Sequence, residues 1–279
     1  MPRLTARDGT ELAYRESGEG GPLVCLAGGP MRDSAYLGDL GGLPAALRLI
    51  SLDLRGTGAS GTPADPAAYR CDHQVDDVEA LREHLGLDRI DLLGHSAGAN
   101  LAVLYAIRYP ERVSRLVLVT PSTYAIGVTA TAEKRREVVE SRKGEPEHDQ
   151  VSAALTRIAA GEGSDDDWEA IAPFTYGRWD AAARAHHEAG KGQQHPEAAA
   201  AFGAEGAYDP DANRAALSGF GAPVLLLAGE LDLAAPPAVV AEYAGLLPKA
   251  QFVTQPGAGH FPWLDDPASF TATIAAFLS

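Results

Sequence analysis

The stretch Arg89-Ile90-Asp91-Leu92-Leu93-Gly94-His95-Ser96-Ala97-Gly98 decides the fold. Residues 89–93 read as a short strand, and residues 97–109 read as a helix stopped by Pro110. Between them Gly94-x-Ser96-x-Gly98 has to turn sharply. A serine on such a turn takes strained backbone angles, and small neighbours make the turn sterically accessible. The turn lifts the hydroxyl above the sheet edge. It also sets Ser96 at a helix N-terminus, where backbone N–H groups and the helix dipole favour developing negative charge. Ser96 is therefore the candidate nucleophile. The plainer role for the same residues is a glycine-rich turn with a capping serine.

The sequence to either side repeats the strand–helix rhythm. Strands are predicted over residues 11–17, 22–27, 47–54 and 113–120, and a helix over 72–85 with Asp72 as its cap. This alternation predicts the α/β class, with a mostly parallel sheet covered by helices on both faces. The rhythm breaks over residues 121–217, which are charged, Ala-rich and without a strand pattern. Helices are predicted there over 131–143, 149–160, 164–171 and 178–189. Strands return over 222–228 and 251–255, with helices over 237–247 and 266–278. The expected layout is a core of residues 1–120 and 218–279, interrupted by an all-helical cap of residues 121–217.

A serine nucleophile needs a base, and on a strand–turn–helix site the acid and then the histidine follow it in the chain. His260 lies in Gly257-Ala258-Gly259-His260-Phe261-Pro262, directly after the last predicted strand. Loops at the C-terminal ends of strands are where such sheets assemble their chemistry. Gly229-Glu230-Leu231-Asp232 follows the preceding strand, so Asp232 is the candidate acid and Glu230 its competitor. Asp232 would hold the imidazole in one tautomer and stabilise the imidazolium. His95 adjoins the serine, but adjacent residues on such a turn point apart, so packing or pocket lining is its expected role.

An oxyanion needs donors. Ala97 N–H follows the nucleophile. The loop Ala27-Gly28-Gly29-Pro30-Met31 must supply the second donor; Pro30 has no N–H, and Gly29 is favoured over Gly28.

Across its 279 residues the chain is 46% hydrophobic and 22% charged, an ordinary globular mixture. Its formal net charge of −15, with no Lys/Arg cluster, disfavours nucleic acid and anionic membrane surfaces as partners. A small molecule or short peptide is the expected partner. Cys25 and Cys71 form neither a disulfide scaffold nor a CxxC site, and His186 and His187 read as a solvated helix face. No metal and no cofactor are expected. The start of the chain has no signal-peptide pattern, which makes the cytoplasm the expected compartment.

Together these segments resemble the α/β-hydrolase superfamily over essentially the whole chain, and more narrowly its proline iminopeptidase (prolyl aminopeptidase) branch. The branch carries Asp-x-Arg-Gly-x-Gly-x-Ser, matched by Asp53-Leu54-Arg55-Gly56-Thr57-Gly58-Ala59-Ser60. Gly259-His260-Phe261-Pro262-Trp263 is also similar. The branch has His-Gly-Gly-Pro-Gly where this chain has Ala27-Gly28-Gly29-Pro30-Met31, and often Gly-Gly-Ser-Trp-Gly around the serine. The resemblance implies a Ser96–Asp232–His260 triad, Gly29 and Ala97 as oxyanion donors, and a helical cap. It also implies cap carboxylates for a substrate amine, for which Glu169, Glu188 and Glu205 are candidates. The activities implied are N-terminal proline cleavage and small-ester hydrolysis. Lactone or thioester hydrolysis, acyl transfer and an inactive binding role on the same fold are the alternatives. Dehalogenases and epoxide hydrolases of the superfamily use a carboxylate where Ser96 stands.

Overall fold

Leu23 and Cys25 face one apolar cluster while Val24 and Leu26 face another, and the same alternation holds for Leu116 to Val119 and Val224 to Ala228. Successive strand residues point to opposite faces, so a strand apolar at every position must be covered on both sides. The computed structural model, which describes all 279 residues, shows that arrangement. Its strands are β1 (Arg3–Thr5), β2 (Glu11–Ser17), β3 (Gly21–Leu26), β4 (Leu47–Asp53), β5 (Ile90–His95), β6 (Val113–Val119), β7 (Val224–Gly229) and β8 (Ala250–Gln255). They form one sheet in the order β1-β2-β4-β3-β5-β6-β7-β8. The β1–β2 and β2–β4 pairs are antiparallel and all others are parallel.

Helices α1 (Val75–His84) and α2 (Gly98–Arg108) pack on one face, through Val75, Val78, Leu81, Leu101 and Tyr105. Between β6 and β7 lie α3 (Ala132–Ser141), α4 (His148–Ala159), α5 (Asp165–Ala170), α6 (Ala181–Gly190), α7 (Pro196–Phe202) and α8 (Pro210–Leu217). The chain closes with α9 (Pro237–Ala244), α10 (Pro262–Asp265) and α11 (Pro267–Leu278). Phe270, Ile274 and Leu278 of α11 recur at helical spacing and cover the second face. Three strands end in loops that meet above the sheet: β5 at Ser96, β7 at Asp232 and β8 at His260.

Several boundaries differ from expectation. Asp72 does not cap α1. Its carboxylate takes two hydrogen bonds from Arg70 (2.7 and 2.9 Å), and the helix begins a turn later at Val75. Strand β1 and helices α7 and α8 lie where no element was predicted. Helix α7 buries only Ala198 and Phe202, too sparse a pattern to mark a helix. In α3 and α5 the caps fall on Thr131 and Ser164, the first residues of the predicted helices.

The Asp53-to-Ser60 stretch is structural. Asp53 Oδ1 accepts from Ser34 N–H (3.2 Å) and Ser34 O–H (2.5 Å), and Oδ2 accepts from Ala59 N–H (2.9 Å). Buried Arg55 donates to Asp77 on α1 (2.7 Å) and to Asp8 (2.6 Å). The carboxylate thus ties the end of β4 to the loop after β3, and the guanidinium ties it to α1.

Backbone packs closely against backbone beside Ser96. A Cβ on Gly98 would run into the carbonyl oxygens of Leu26 and Ala27, which are backbone atoms and cannot rotate away. Gly98→Ala is expected to destabilise the chain by about 1–3 kcal/mol, the usual range for overpacking. Urea unfolding monitored by circular dichroism checks this, and a variant as stable as the parent would contradict the packing described.

Candidate active site

Ser96 has φ of +51°, in the left-handed region that non-glycine residues seldom occupy. Backbone hydrogen bonds hold it there: Ser96 N–H donates to Val119 O (3.1 Å), and Ser96 O accepts from Ser122 N–H (3.0 Å). The loop after β3 crosses directly over this turn. A Cβ on Gly28 would sit 2.8 Å from both His95 O and Ser96 Cβ, so only glycine permits the approach.

The crossing leaves donors free. Neither Ala97 N–H nor Gly29 N–H donates a hydrogen bond within the protein, whereas Gly28 N–H is taken by Tyr36 Oη at 2.6 Å. Gly29 is thus the free glycine donor of the loop. Ala97 is buried and Gly29 is exposed, and both N–H groups lie beside the serine without a protein acceptor, where an oxyanion could take them.

Asp232 is fully buried. Its Oδ2 accepts from His260 Nδ1–H at 2.8 Å, and its Oδ1 accepts from the N–H groups of Ala234 (2.8 Å) and Ala235 (3.0 Å). With Nδ1 carrying the proton, His260 Nε2 is left with its lone pair. Glu230 turns elsewhere and accepts from Gly257 N–H (2.7 Å) at the surface.

One cavity of about 400 Å³ is lined by Ser96, Ala97, Gly29 and His260 together. Arg135 of α3 and Trp168 of α5 reach into it from the inserted helices. No carboxylate lines it. Glu169 is paired with His187 (3.1 Å) and Lys191 (3.0 Å), and Glu188 with Lys191 (2.9 Å), all on the exposed side. Glu205 lines a neighbouring cavity of about 500 Å³ that shares Pro30, Ala97, Ser122 and Tyr124 with the first. The structure therefore does not bring the three glutamates together around the serine.

Residues 21–267 match the family described as having the alpha/beta hydrolase fold. The chain belongs to that family. Among its relatives is a proline iminopeptidase of Lactobacillus helveticus, 41% identical over 117 residues, or 39% of this chain and 40% of that one. The chain spans half or less of the length of the curated relatives it matches. Among solved structures, a malate-bound thermophilic esterase from Thermogutta terrifontis superposes with a TM-score of 0.72. It is 26% identical, with 100% of this chain and 98% of that chain covered. An enol-lactonase from Burkholderia xenovorans gives 0.67 at 25% identity over 99% of each.

In this α/β-hydrolase the histidine beside the serine is fixed by three hydrogen bonds in series. His95 Nε2 lies 2.9 Å from the His260 carbonyl oxygen, which only accepts, so Nε2 carries the proton. His95 Nδ1 then accepts from Tyr36 O–H at 2.6 Å, and Tyr36 Oη accepts from Gly28 N–H. One chain of bonds thus runs from the loop after β3, under the serine, to the backbone of His260. That backbone is held further by Thr120 O–H (3.0 Å) on the carbonyl and by His260 N–H donating to Thr175 O (2.7 Å). Asp265 completes the support, accepting from Gly259 N–H (2.8 Å) and Gly177 N–H (3.0 Å). Tyr36, Thr120 and Asp265 carry no sequence signal for this role, because each meets its partner through the fold.

His186 departs from the expected solvated face. It is half-buried, with Nδ1 on Tyr176 Oη (2.9 Å) and Nε2 on Tyr36 O (3.0 Å). The side of α6 that bears it packs under the loop after β3.

Burial, with the nearby His260 adding to it, holds the His95 pKa well below the ordinary histidine value, so the ring is neutral in the folded chain. Burial lowers the pKa of His186 as well. In the unfolded chain both titrate near about 6.5. Below that value the unfolded chain binds protons that the folded chain refuses, so stability falls as pH drops through about 6.5. The free energy of urea unfolding is expected to decrease between about pH 7.5 and 5.5, with a shallower slope in a His95→Gln variant. An identical slope in the variant would contradict a neutral buried His95.

Proposed function

We propose that this α/β-hydrolase is a serine hydrolase working through an acyl-enzyme, with Ser96 as nucleophile, His260 as base and Asp232 as the acid that orients it. The observation that carries the reading is the single cavity onto which Ser96, His260 and two unpaired N–H groups open. Ser96 Oγ bonds to the substrate's carbonyl carbon while its proton passes to His260 Nε2. The carbonyl oxygen becomes an oxyanion held by Gly29 N–H and Ala97 N–H. The intermediate collapses, the leaving group takes the proton from His260, and the acyl group stays on Ser96. A water then attacks the acyl carbon, giving its proton to His260, and Ser96 is released with that proton. Asp232 keeps Nδ1 protonated throughout and stabilises the imidazolium.

The inserted helices, residues 121–217, act as a cap on the core of residues 1–120 and 218–279. Two contacts support this: Arg135 and Trp168 face the serine's cavity, and His195 N–H reaches Met31 O (3.0 Å) in the loop after β3. The substrate is a small molecule rather than a nucleic acid or a membrane surface, given the net charge of −15. The compartment proposed is the cytoplasm; no helix is long and apolar enough to cross a membrane.

Among the activities named for its relatives, the cavity favours ester or lactone cleavage over proline iminopeptidase activity. An N-terminal amine would need a carboxylate facing the serine, and none lines that cavity. The expected result is hydrolysis of short p-nitrophenyl esters at a kcat/KM at least about tenfold above that for proline-naphthylamide, one tenfold step being about 1.4 kcal/mol of transition-state binding. Ser96→Ala is expected to lower kcat by a factor on the order of 10³ or more. Near-native turnover in that variant would overturn the assignment. A preference for proline-naphthylamide, lost when the proline nitrogen is blocked, would return the aminopeptidase reading.

A further inference from the structure

Resting on that hydrolase reading, we propose that the substrate carries a carboxylate as well as the bond that is cut, and that the Arg135 guanidinium holds it. The chain has 38 acidic residues against 23 Lys and Arg, yet the cavity at Ser96 is lined by Arg135 and by no acid. Glu205 lines a different neighbouring cavity. A second cavity of about 390 Å³ adjoins the one at Ser96, and both are lined by Gly29, Arg135, Trp168 and Ala234. No Asp or Glu lines either cavity, whereas Arg32, Arg135 and Lys191 do.

The three cations differ in what neutralises them. Lys191 is held by Glu169 and Glu188. Arg135 has no carboxylate within 4 Å, and its side chain's one hydrogen bond within the protein is from Nε to Ala130 O at 3.4 Å. Arg32 is unpaired too. Its Nε donates to Gln193 Oε1 (3.1 Å), its guanidinium lies 4.3 Å from the centre of the Tyr36 ring, and its buried Nη2 has no partner. The acid beside it in sequence, Asp33, is occupied by Arg15 (3.1 Å).

An arginine in an acidic protein ordinarily finds a carboxylate, as Arg55, Arg82 and Arg142 do here. Burial lowers the Arg32 pKa and leaves its Nη2 without a partner, which is costly unless an anion arrives from outside. Arg135, half-buried at the wall of the serine's cavity, keeps its Nη donors open to the same anion. The planar fork of donors fits a carboxylate in two parallel hydrogen bonds. Arg135 lines the serine's own cavity and is assigned the contact. Arg32 lines the adjoining cavity but not the one at Ser96, and adds positive field. Trp168, 54% exposed and lining both cavities, offers an apolar face for the carbon chain between carboxylate and reacting carbonyl.

The test uses two matched pairs of esters. The first is the 4-nitrophenyl monoester of adipic acid against 4-nitrophenyl hexanoate, which places the carboxylate on the acyl side. The second is the acetate ester of 5-hydroxy-2-nitrobenzoate against 4-nitrophenyl acetate, which places it on the leaving group. Rates are corrected for the uncatalysed reaction of each ester. In at least one pair the carboxylated member is expected to have the higher kcat/KM by about 10- to 100-fold at low salt, the range of one charge-assisted hydrogen bond. The ratio is expected to fall towards one in Arg135→Gln, to recover in part in Arg135→Lys, and to shrink as sodium chloride is added.

Equal or lower kcat/KM for the carboxylated member of both pairs would overturn the proposal, as would a ratio that survives Arg135→Gln. In either case Ser96-dependent cleavage of the uncharged esters would leave the hydrolase reading standing. If no ester of the four were cleaved in a Ser96-dependent way, the hydrolase reading would fail and the carboxylate proposal with it.

Discussion

The site depends on one close approach of backbone to backbone. The ends of β3 and β5 come so near that neither Gly28 nor Gly98 can carry a side chain, and Ser96 is held at a positive φ between them. This contact raises the serine hydroxyl off the sheet. It also turns Ala97 N–H and Gly29 N–H away from every acceptor in the protein. A helix in normal register would have left an ordinary capped turn. The strain at Ser96 is carried by the sheet, whose central strands β3, β5, β6 and β7 are buried on both faces and cannot shift singly.

A second level of organisation holds the moving parts in register. Ser96, the free Ala97 and Gly29 N–H groups and His260 come from three loops, and loops of that kind are the least constrained parts of a fold. Here Tyr36 and His95 join two of the loops through buried hydrogen bonds, and Asp265 joins the His260 loop to the inserted helices. Each bond lies in a sheltered place where an unpaired group is costly, so the geometry is fixed before substrate arrives.

Much of this was legible in the sequence. Residues 89–98 gave away the strand–turn–helix, and the apolar runs before Asp232 and His260 placed the β7 and β8 loops at the same edge of the sheet. Those features are local, and local patterns are what a sequence displays. Tyr36 is 59 residues from His95, and its hydroxyl acquires a role only when β3 and β5 pair. Arg135 reads as one charge among many on a polar helix; what distinguishes it from its unpaired neighbour Arg136 is that it lines the cavity at Ser96, a property of the folded chain. The glutamates were candidates only through the family resemblance; in the fold Glu169 and Glu188 pair with Lys191 at the surface and Glu205 lines a neighbouring cavity, so none lines the cavity at Ser96.

The central claim is that Ser96 is a nucleophile activated by its surroundings. Incubation with a fluorophosphonate probe, followed by peptide mapping by mass spectrometry, tests this most directly. A single modification on the peptide containing Gly94-His95-Ser96-Ala97-Gly98, lost on prior denaturation of the protein and slowed in an Asp232→Asn variant, is the result the structure predicts. No labelling of the native protein, or labelling spread over other serines, would contradict it.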